Sequence, residues 1–357
     1  MQKNKLKILY IGGQFKGSTG LERRKALEEL GHTVDVFDTD PYVRFRGRLQ
    51  NALTHRLGWG PAVWQLNKDI LKFAEVIDYE LVWVSKGAWF YPKTIKKLKK
   101  EGVAKIIHYN TDDPFGLLGS KRWRTFIKAI PIYDIHYVRR QKNIDEYRKR
   151  GAVRVIRAYP NYSSYLHKPI EVDEIVRKQL GGPVGFIGDY EKERAEMLHF
   201  IASNGIPVRV WGPNWKERCS HKHPNLKIEG KGLYGEDYVR AINSFDINLC
   251  FLRKCNRDLS TSRSLEIPGC GAFMLAERTS EHLELFKEGK EAEFFEGKNE
   301  LIKKIKYFLT CPEEREQIAK SGLERCQKSK YDNLSFMAWA VESSQAIKVN
   351  DFSNKIM

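Results

Sequence analysis

Residues 253–277, RKCNRDLSTSRSLEIPGCGAFMLAE, gather the densest set of chemically useful side chains in this 357-residue chain. Arg253, Lys254, Arg257 and Arg263 supply cations, Ser260, Thr261 and Ser262 supply hydroxyls, and Glu266 supplies a carboxylate. The apolar run 245–252 just before them reads as a buried strand, and the Ser/Thr cluster as the N-cap of a short helix starting near Arg263. A helix start presents unpaired N–H groups and a positive dipole end, so it favours an anion such as a diphosphate. Guanidinium forks and ammonium groups around that point add to the attraction. Glu266, one turn further on, is placed to accept from the vicinal hydroxyls of a ribose. Pro268, Gly269, Cys270 and Gly271 then end the helix and admit a strand at 272–275. Together these parts describe a nucleotide-diphosphate site. The competing reading is a solvated basic loop ahead of an ordinary helix.

Other residues invite the same question. Gly12, Gly13 and Gly17 follow a first apolar strand, where they would let backbone approach a phosphate or an acceptor; the run is neither GxGxxG nor a Walker loop. Asp112 and Asp113 stand directly after the apolar run 105–109, at the strand end where α/β sheets hold ligands. Either could orient or deprotonate an acceptor hydroxyl, or Asp113 could simply cap the segment that Pro114 begins. Asp38 and Asp40 have DxD spacing, but nothing else around them points to a metal. Cys219, His221 and His223 match no structural zinc spacing, and no metal site is expected. Gly188 closes the apolar run 184–187 and joins the candidates for the diphosphate side. Gly232, Leu233 and Tyr234 lie in a turn between strand and helix, either as a packed turn or as a wall for a nucleobase.

The elements that must carry these residues alternate regularly. A strand at 7–11, a helix at 21–30 and a strand at 33–37 form a βαβ unit. Strands at 81–85, 105–109, 135–138 and 153–156 follow, with helices at 92–100 and 122–129, and this alternation predicts a doubly wound parallel sheet. A polar passage at 161–169 precedes a second series. It comprises strands at 184–188, 208–211 and 226–229, helices at 192–204 and 236–244, and amphipathic helices over 281–310 and 312–330.

Composition bounds the class. Hydrophobic residues make up 41% of the chain and aromatics 12%, enough for packed cores in two domains. The formal charge of +17 is unevenly placed: residues 1–170 hold 33 Lys+Arg against 16 Asp+Glu, and residues 171–357 hold 29 of each. Such asymmetry bears on partners rather than fold. Arg44, Arg46, Arg48 and Arg56 interleave with Tyr42, Phe45 and Trp59, a mixture suited to an anionic polymer or a membrane surface. Lys93, Lys96, Lys97, Lys99 and Lys100 read as a solvated helix face. No apolar run is long enough for a transmembrane helix, and the first residues lack a signal-peptide core. The six cysteines form no CxxC pair and suit free thiols in a reducing compartment. A cytoplasmic protein, working at the membrane periphery if its acceptor lies there, is the expectation.

The segment that includes NRD and TSRSLEIPGCGAFMLAERTSEHLELFKEGKEAEFF resembles the C-terminal half of GT-B glycosyltransferases, in particular the spore-maturation (CgeB-like) group. The similarity spans about residues 184–331 and continues more weakly through the N-terminal half. It implies an α/β GT-B architecture of two Rossmann-like domains facing across a cleft. The implied domains are an acceptor-binding domain at 1–165, a sugar-nucleotide-binding domain at 170–334, and a helix at 335–357 crossing back to the first. It implies metal-independent transfer of a sugar from a nucleotide-diphosphate donor, UDP-linked, to a hydroxyl acceptor in surface polysaccharide or glycoconjugate synthesis. By the resemblance Glu266 binds the donor ribose, and the residue eight positions earlier contacts the donor sugar. This chain has Asp258 there, where related enzymes carry glutamate. The donor-binding set is then Arg253, Lys254, Arg257, Asp258, Thr261, Ser262, Arg263 and Glu266 with Gly188, Gly232, Leu233 and Tyr234. Asp112 or Asp113 would serve as the base, and the basic N-terminal half would bind an anionic or membrane-associated acceptor. Two other classes stay open: a nucleic-acid-binding or nucleic-acid-glycosylating protein, which lacks any recognisable binding motif, and a non-catalytic sugar-nucleotide sensor.

Overall fold

The computed structural model describes residues 5–43, 54, 58–75, 78–99, 105–116 and 122–345. Arg44, Phe45, Arg46, Arg48, Arg56 and Lys100 lie outside the described residues. The chain divides into two compact units. The first comprises Met1–Tyr159, Lys254–Arg257 and Asn333–Met357, and the second Pro160–Arg253 and Asp258–Asp332.

The first unit is built on six parallel strands: β1 (Lys7–Gly12), β2 (Thr33–Asp38), β3 (Leu81–Ser85), β4 (Lys105–Asn110), β5 (Ile135–Val138) and β6 (Val155–Arg157). Their order is β2-β1-β3-β4-β5-β6. Helices sheathe both faces, so the inner strands are apolar throughout rather than alternating. On one face Val82, Val84 and Ile106 pack with Trp123 and Phe126. On the other, Trp83 stacks on Tyr109 and Tyr137 at ring-centroid distances of 6.0 and 5.9 Å. Phe336 and Met337 of the helix Asn333–Gln345 cover that stack. The Tyr137 hydroxyl donates to the Ala340 carbonyl of this helix at 3.3 Å.

The second unit has strands β7 (Gly182–Ile187), β8 (Val208–Trp211), β9 (Leu226–Ile228), β10 (Phe245–Cys250), β11 (Met274–Glu277) and β12 (Glu293–Phe295). They are parallel and ordered β12-β11-β10-β7-β8-β9. In both sheets the direction of winding reverses, between β1 and β3 in the first and between β7 and β10 in the second. At such a reversal the loops from adjacent strand ends part, and a crevice opens outside their carboxyl ends.

One expected element is corrected. The amphipathic stretch 281–310 is a helix Ser280–Leu285, the short strand β12 and a helix Gly297–Thr310. Gly289 and Gly297 adopt positive φ, +77° each, and break the helical path. Arg278 binds Glu288 and Glu300, and Lys304 binds Glu288 and Glu293, which pins the resulting hairpin-like excursion. Three residues of strand are too few to show a period of two. The helices Pro61–Ala74, Gln141–Lys149 and Glu174–Leu180 add to the expected set.

Candidate active site

In the second unit, three guanidinium groups collect at the β7/β10 reversal. Arg194, in the first turn of the helix Lys192–Ser203, is 5% exposed and donates to the carbonyls of Asp189 (3.0 Å) and Leu252 (3.1 Å). Arg263 donates to the Phe251 carbonyl at 3.0 Å, and its Nε is buried without a partner. Both guanidinium planes lie over the Phe186 ring, at 5.5 and 5.4 Å from its centroid. Arg253 pairs with Glu191 at 2.7 Å. Burial, then the neighbouring charges of Arg263 and Arg253, push the Arg194 guanidinium down to about 10. A concentration of like charge held by backbone carbonyls is costly unless an anion shares it. Gly188 belongs to this cluster: a Cβ there would come within 3.2 Å of Arg263 Nη1 and 2.9 Å of the Phe186 ring.

Glu266 sits in the helix Arg263–Gly269 and is 9% exposed. The Tyr238 hydroxyl donates to its Oε2 at 2.6 Å. Burial first, and the Glu266 charge second, hold the Tyr238 phenol well above its usual range, so it remains a donor.

The Ser/Thr cluster does not cap this helix. Ser262 is itself helical (φ −57°, ψ −40°) and its side chain makes no cap bond. Ser260 Oγ donates to Glu281 at 2.7 Å, and Thr261 Oγ1 contacts Cys250 Sγ at 3.7 Å. The turn is held instead by Ser264, whose Oγ accepts from Thr261 N–H at 2.9 Å and meets His282 Nε2 at 2.7 Å. His282 Nδ1 faces the Glu277 carbonyl at 2.6 Å and must donate to it, so the neutral ring accepts the Ser264 proton at Nε2. Burial lowers the His282 pKa and keeps the ring neutral. Buried hydroxyls take the nearest partner, and here the partners come from the β11 side rather than from the helix start.

The turn after β9 keeps Leu233 buried and Tyr234 46% exposed, so Tyr234 offers a ring face to solvent. A Cβ on Gly232 would lie 2.7 Å from the Tyr234 hydroxyl. Asp258 is half-buried, its N–H 3.4 Å from the Arg253 carbonyl.

The first unit separates the two aspartates. Asp113 is 2% exposed and saturated: Oδ1 accepts from Phe115 N, Asn143 Nδ2 and Arg257 Nη2 at 2.9–3.0 Å, and Oδ2 accepts from Arg257 Nε. Arg257 also forks onto Glu146, with both bonds at 2.9 Å. It achieves this in the left-handed region, φ +52°, within the segment Lys254–Arg257 of this unit. Arg257 is thus committed to two carboxylates of the first unit, and Asp113 is buried, with three donors on Oδ1 and Arg257 on Oδ2. Lys254, in the same segment, is exposed. Asp112 keeps an open carboxylate, with Lys86 at 3.4 Å and Arg122 at 4.0 Å. Burial raises its pKa, but Lys86, Arg122 and Arg140 outweigh that and hold it at about 2.

Gly12, Gly13 and Gly17 belong to a tight loop at the β1/β3 reversal. Asp40 ties it down, accepting from Gln14 N at 2.7 Å and Phe15 N at 3.0 Å. A Cβ on Gly13 would strike that carboxylate at 2.7 Å, and one on Gly12 would strike Ser85 at 2.8 Å. The aspartate of the DxD pair thus serves as a loop staple. No group of three or more His, Cys, Asp or Glu among the described residues is arranged to hold a metal ion.

Residues 193–334 match the family model described as glycosyl transferase-like. Solved structures similar to the whole chain include sucrose-phosphate synthase from Thermosynechococcus elongatus, 13% identical with a TM-score of 0.68, covering 96% of this chain and 99% of that one. Anabaena HepE in complex with UDP and glucose gives 13% identity, a TM-score of 0.62, and 96% and 100% coverage. The α,α-trehalose 6-phosphate synthase of Burkholderia multivorans gives 11%, 0.64, 96% and 99%. The chain has the GT-B fold, with a glycosyl transferase-like region at residues 193–334. The match stands at that level and does not single out the spore-maturation group. No curated protein matches by sequence. No helix among the described residues is long and apolar enough to cross a membrane.

Arg194 and Tyr238 belong to the candidate site but are not among the residues expected from sequence. Arg194 had a legible signal, since it opens the helix after the first strand of a Rossmann-like unit, where phosphate sites form. Tyr238 had none, because only the tertiary contact with Glu266 distinguishes it from any helix-surface tyrosine.

Proposed function

We propose that this protein is a glycosyltransferase that moves a sugar from a nucleoside-diphosphate donor, UDP-linked, to a hydroxyl of an anionic acceptor. The observation that carries the reading is the β7/β10 cluster: Arg194 and Arg263 over Phe186 with Arg253 nearby, and the Tyr238-oriented carboxylate of Glu266 three positions along the helix that Arg263 begins. A diphosphate needs convergent cations and a ribose needs a fixed hydrogen-bond acceptor. Charge developing on the departing nucleoside diphosphate falls on Arg263 and Arg194, which are already oriented and pay no reorganisation cost during transfer. This is the role that a metal ion would otherwise fill, so transfer proceeds without one. Tyr234 offers its exposed face to the base, and the UDP-bound HepE structures support the choice of nucleotide. Asp112, with its open carboxylate, orients the acceptor hydroxyl in the first unit, whose sequence carries the excess positive charge.

Titration calorimetry with UDP tests the donor half. Wild-type protein binds, and Arg263→Ala and Glu266→Ala each weaken binding. Undiminished affinity in both variants removes the assignment. Release of UDP from UDP-sugars, absent in Arg263→Ala, tests the reaction itself.

A further inference from the structure

The first unit holds a pocket of its own. It occupies about 390 Å³ at the β1/β3 reversal. Its floor is the start of the helix Thr19–Glu29, capped by Ser18 Oγ on Leu21 N–H at 3.0 Å, so Thr19 and Gly20 present the helix's first turn to the pocket. Gly20 is required there: a Cβ would lie 2.8 Å from the Gly13 carbonyl. Three cations line the walls: Arg23, Lys86 and Arg122.

Arg23 is the most telling of them. It is 4% exposed, its guanidinium lies 4.3 Å from the Tyr109 ring centroid, Nη2 reaches Thr19 Oγ1 at 3.3 Å, and Nε is buried with no partner. A buried guanidinium without a carboxylate is expensive unless a ligand anion completes it. Lys86 stands in the left-handed region, φ +67°, its carbonyl held by His108 Nε2 at 2.9 Å. Among the lining residues Asp40 is the one carboxylate, and it is occupied by Gln14 N and Phe15 N. Asp38, adjoining Asp40, and Asp112, with Lys86 at 3.4 Å and Arg122 at 4.0 Å, stand outside the lining. The lining itself carries three cations against one carboxylate.

We propose that this pocket binds a phosphomonoester, and that the acceptor is a small phosphorylated compound held by its phosphate against Arg23, Lys86 and the start of the helix Thr19–Glu29. A doubly charged tetrahedral anion uses several donors from different directions, which a single carboxylate does not. The volume admits a phosphate with a polar body of sugar size. The role as acceptor rests on the transfer reading above; the phosphate site itself does not.

Calorimetry with glucose 6-phosphate and with inorganic phosphate, on the full chain and without donor, tests it. Saturable binding of the phosphorylated probe is expected, with glucose itself silent. Lys86→Gln, an exposed position that leaves the fold intact, should weaken binding about tenfold. Arg23→Gln should weaken it further, and Glu266→Gln should leave it unchanged. Absence of saturable binding by both probes, equal binding of glucose, or undiminished affinity in Lys86→Gln would overturn the pocket. Displacement of the probe by UDP would reassign the cations to the donor and overturn it equally. Loss of UDP binding with phosphate binding kept in wild type would instead count against the donor assignment.

Discussion

The two units present the same topological device in different chemical states. At the β7/β10 reversal the cations are wired to backbone: Arg194 to two carbonyls, Arg263 to one, both over Phe186. At the β1/β3 reversal Lys86 is 48% exposed and Arg122 26%, and both share one carboxylate at long range. The first arrangement is preorganised, and its geometry depends little on what binds. The second joins the buried Arg23 to two solvent-screened cations, so only the share of Lys86 and Arg122 depends on salt. On the assignments proposed above, the donor pocket stabilises the same diphosphate in every turnover, whereas the acceptor pocket admits and releases one chosen compound, and the wiring fits that division.

The largest effect should come from the Arg257 clamp, which involves neither pocket. Asp113→Ala leaves a partly buried guanidinium facing Glu146 alone and should cost about 3 kcal/mol of stability, read by urea unfolding. The same carboxylate makes the first unit acid-sensitive. Burial raises the Asp113 pKa, but Arg257 and Asn143 lower it more. Its contribution is therefore complete above the unfolded value near 4 and is lost as pH falls through the lower folded value. Asp112, held at about 2, follows the same sign and loses its share between about pH 4 and pH 2. Melting of wild type should fall steeply over that window, and melting of Asp113→Asn should fall less. An equal slope in the two would show that the clamp is not the acid-sensitive element.

The preorganised side of the comparison is next. Arg263→Ala should weaken UDP binding by about 2 kcal/mol, roughly thirtyfold, with little change in salt dependence because Arg194 and Glu266 of the same cluster are buried. A steep salt slope there would erase the distinction between the units. Glu266→Gln should cost about tenfold for UDP and much less for 2′-deoxy-UDP, since one ribose hydroxyl is then missing from both sides of the comparison. The smallest effect is Tyr238→Phe, about threefold, because it loosens the orientation of Glu266 without removing it. A larger loss than that of Glu266→Gln would make the tyrosine a ligand group in its own right.

Much of this was written locally. The runs around β1, β3, β4, β7 and β10 are apolar because parallel strands are covered on both faces, and they were read at nearly their observed positions. The glycine turns at Gly12, Gly13 and Gly188 follow from strand ends that need close backbone approach. The strand β12 was not legible, since three residues show no period of two and its pairing with β11 lies beside the ion pairs of Arg278 and Lys304 with distant glutamates. Within residues 253–277 the partners of individual side chains were not legible. Arg257 serves Asp113 and Glu146, and the hydroxyls of Ser260 and Thr261 are taken internally.

The sequence by itself determined the two alternating β/α series, the stock of cations and the glutamate behind them, because helix and strand periods and turn residues depend on neighbours a few positions apart. Only the tertiary structure decided which cation meets which carboxylate. Arg257 and Asp113 are 144 positions apart, and Tyr238 and Glu266 are 28 apart. Pairings over such separations are chosen by burial and geometry after the sheets have formed, and no local pattern records them.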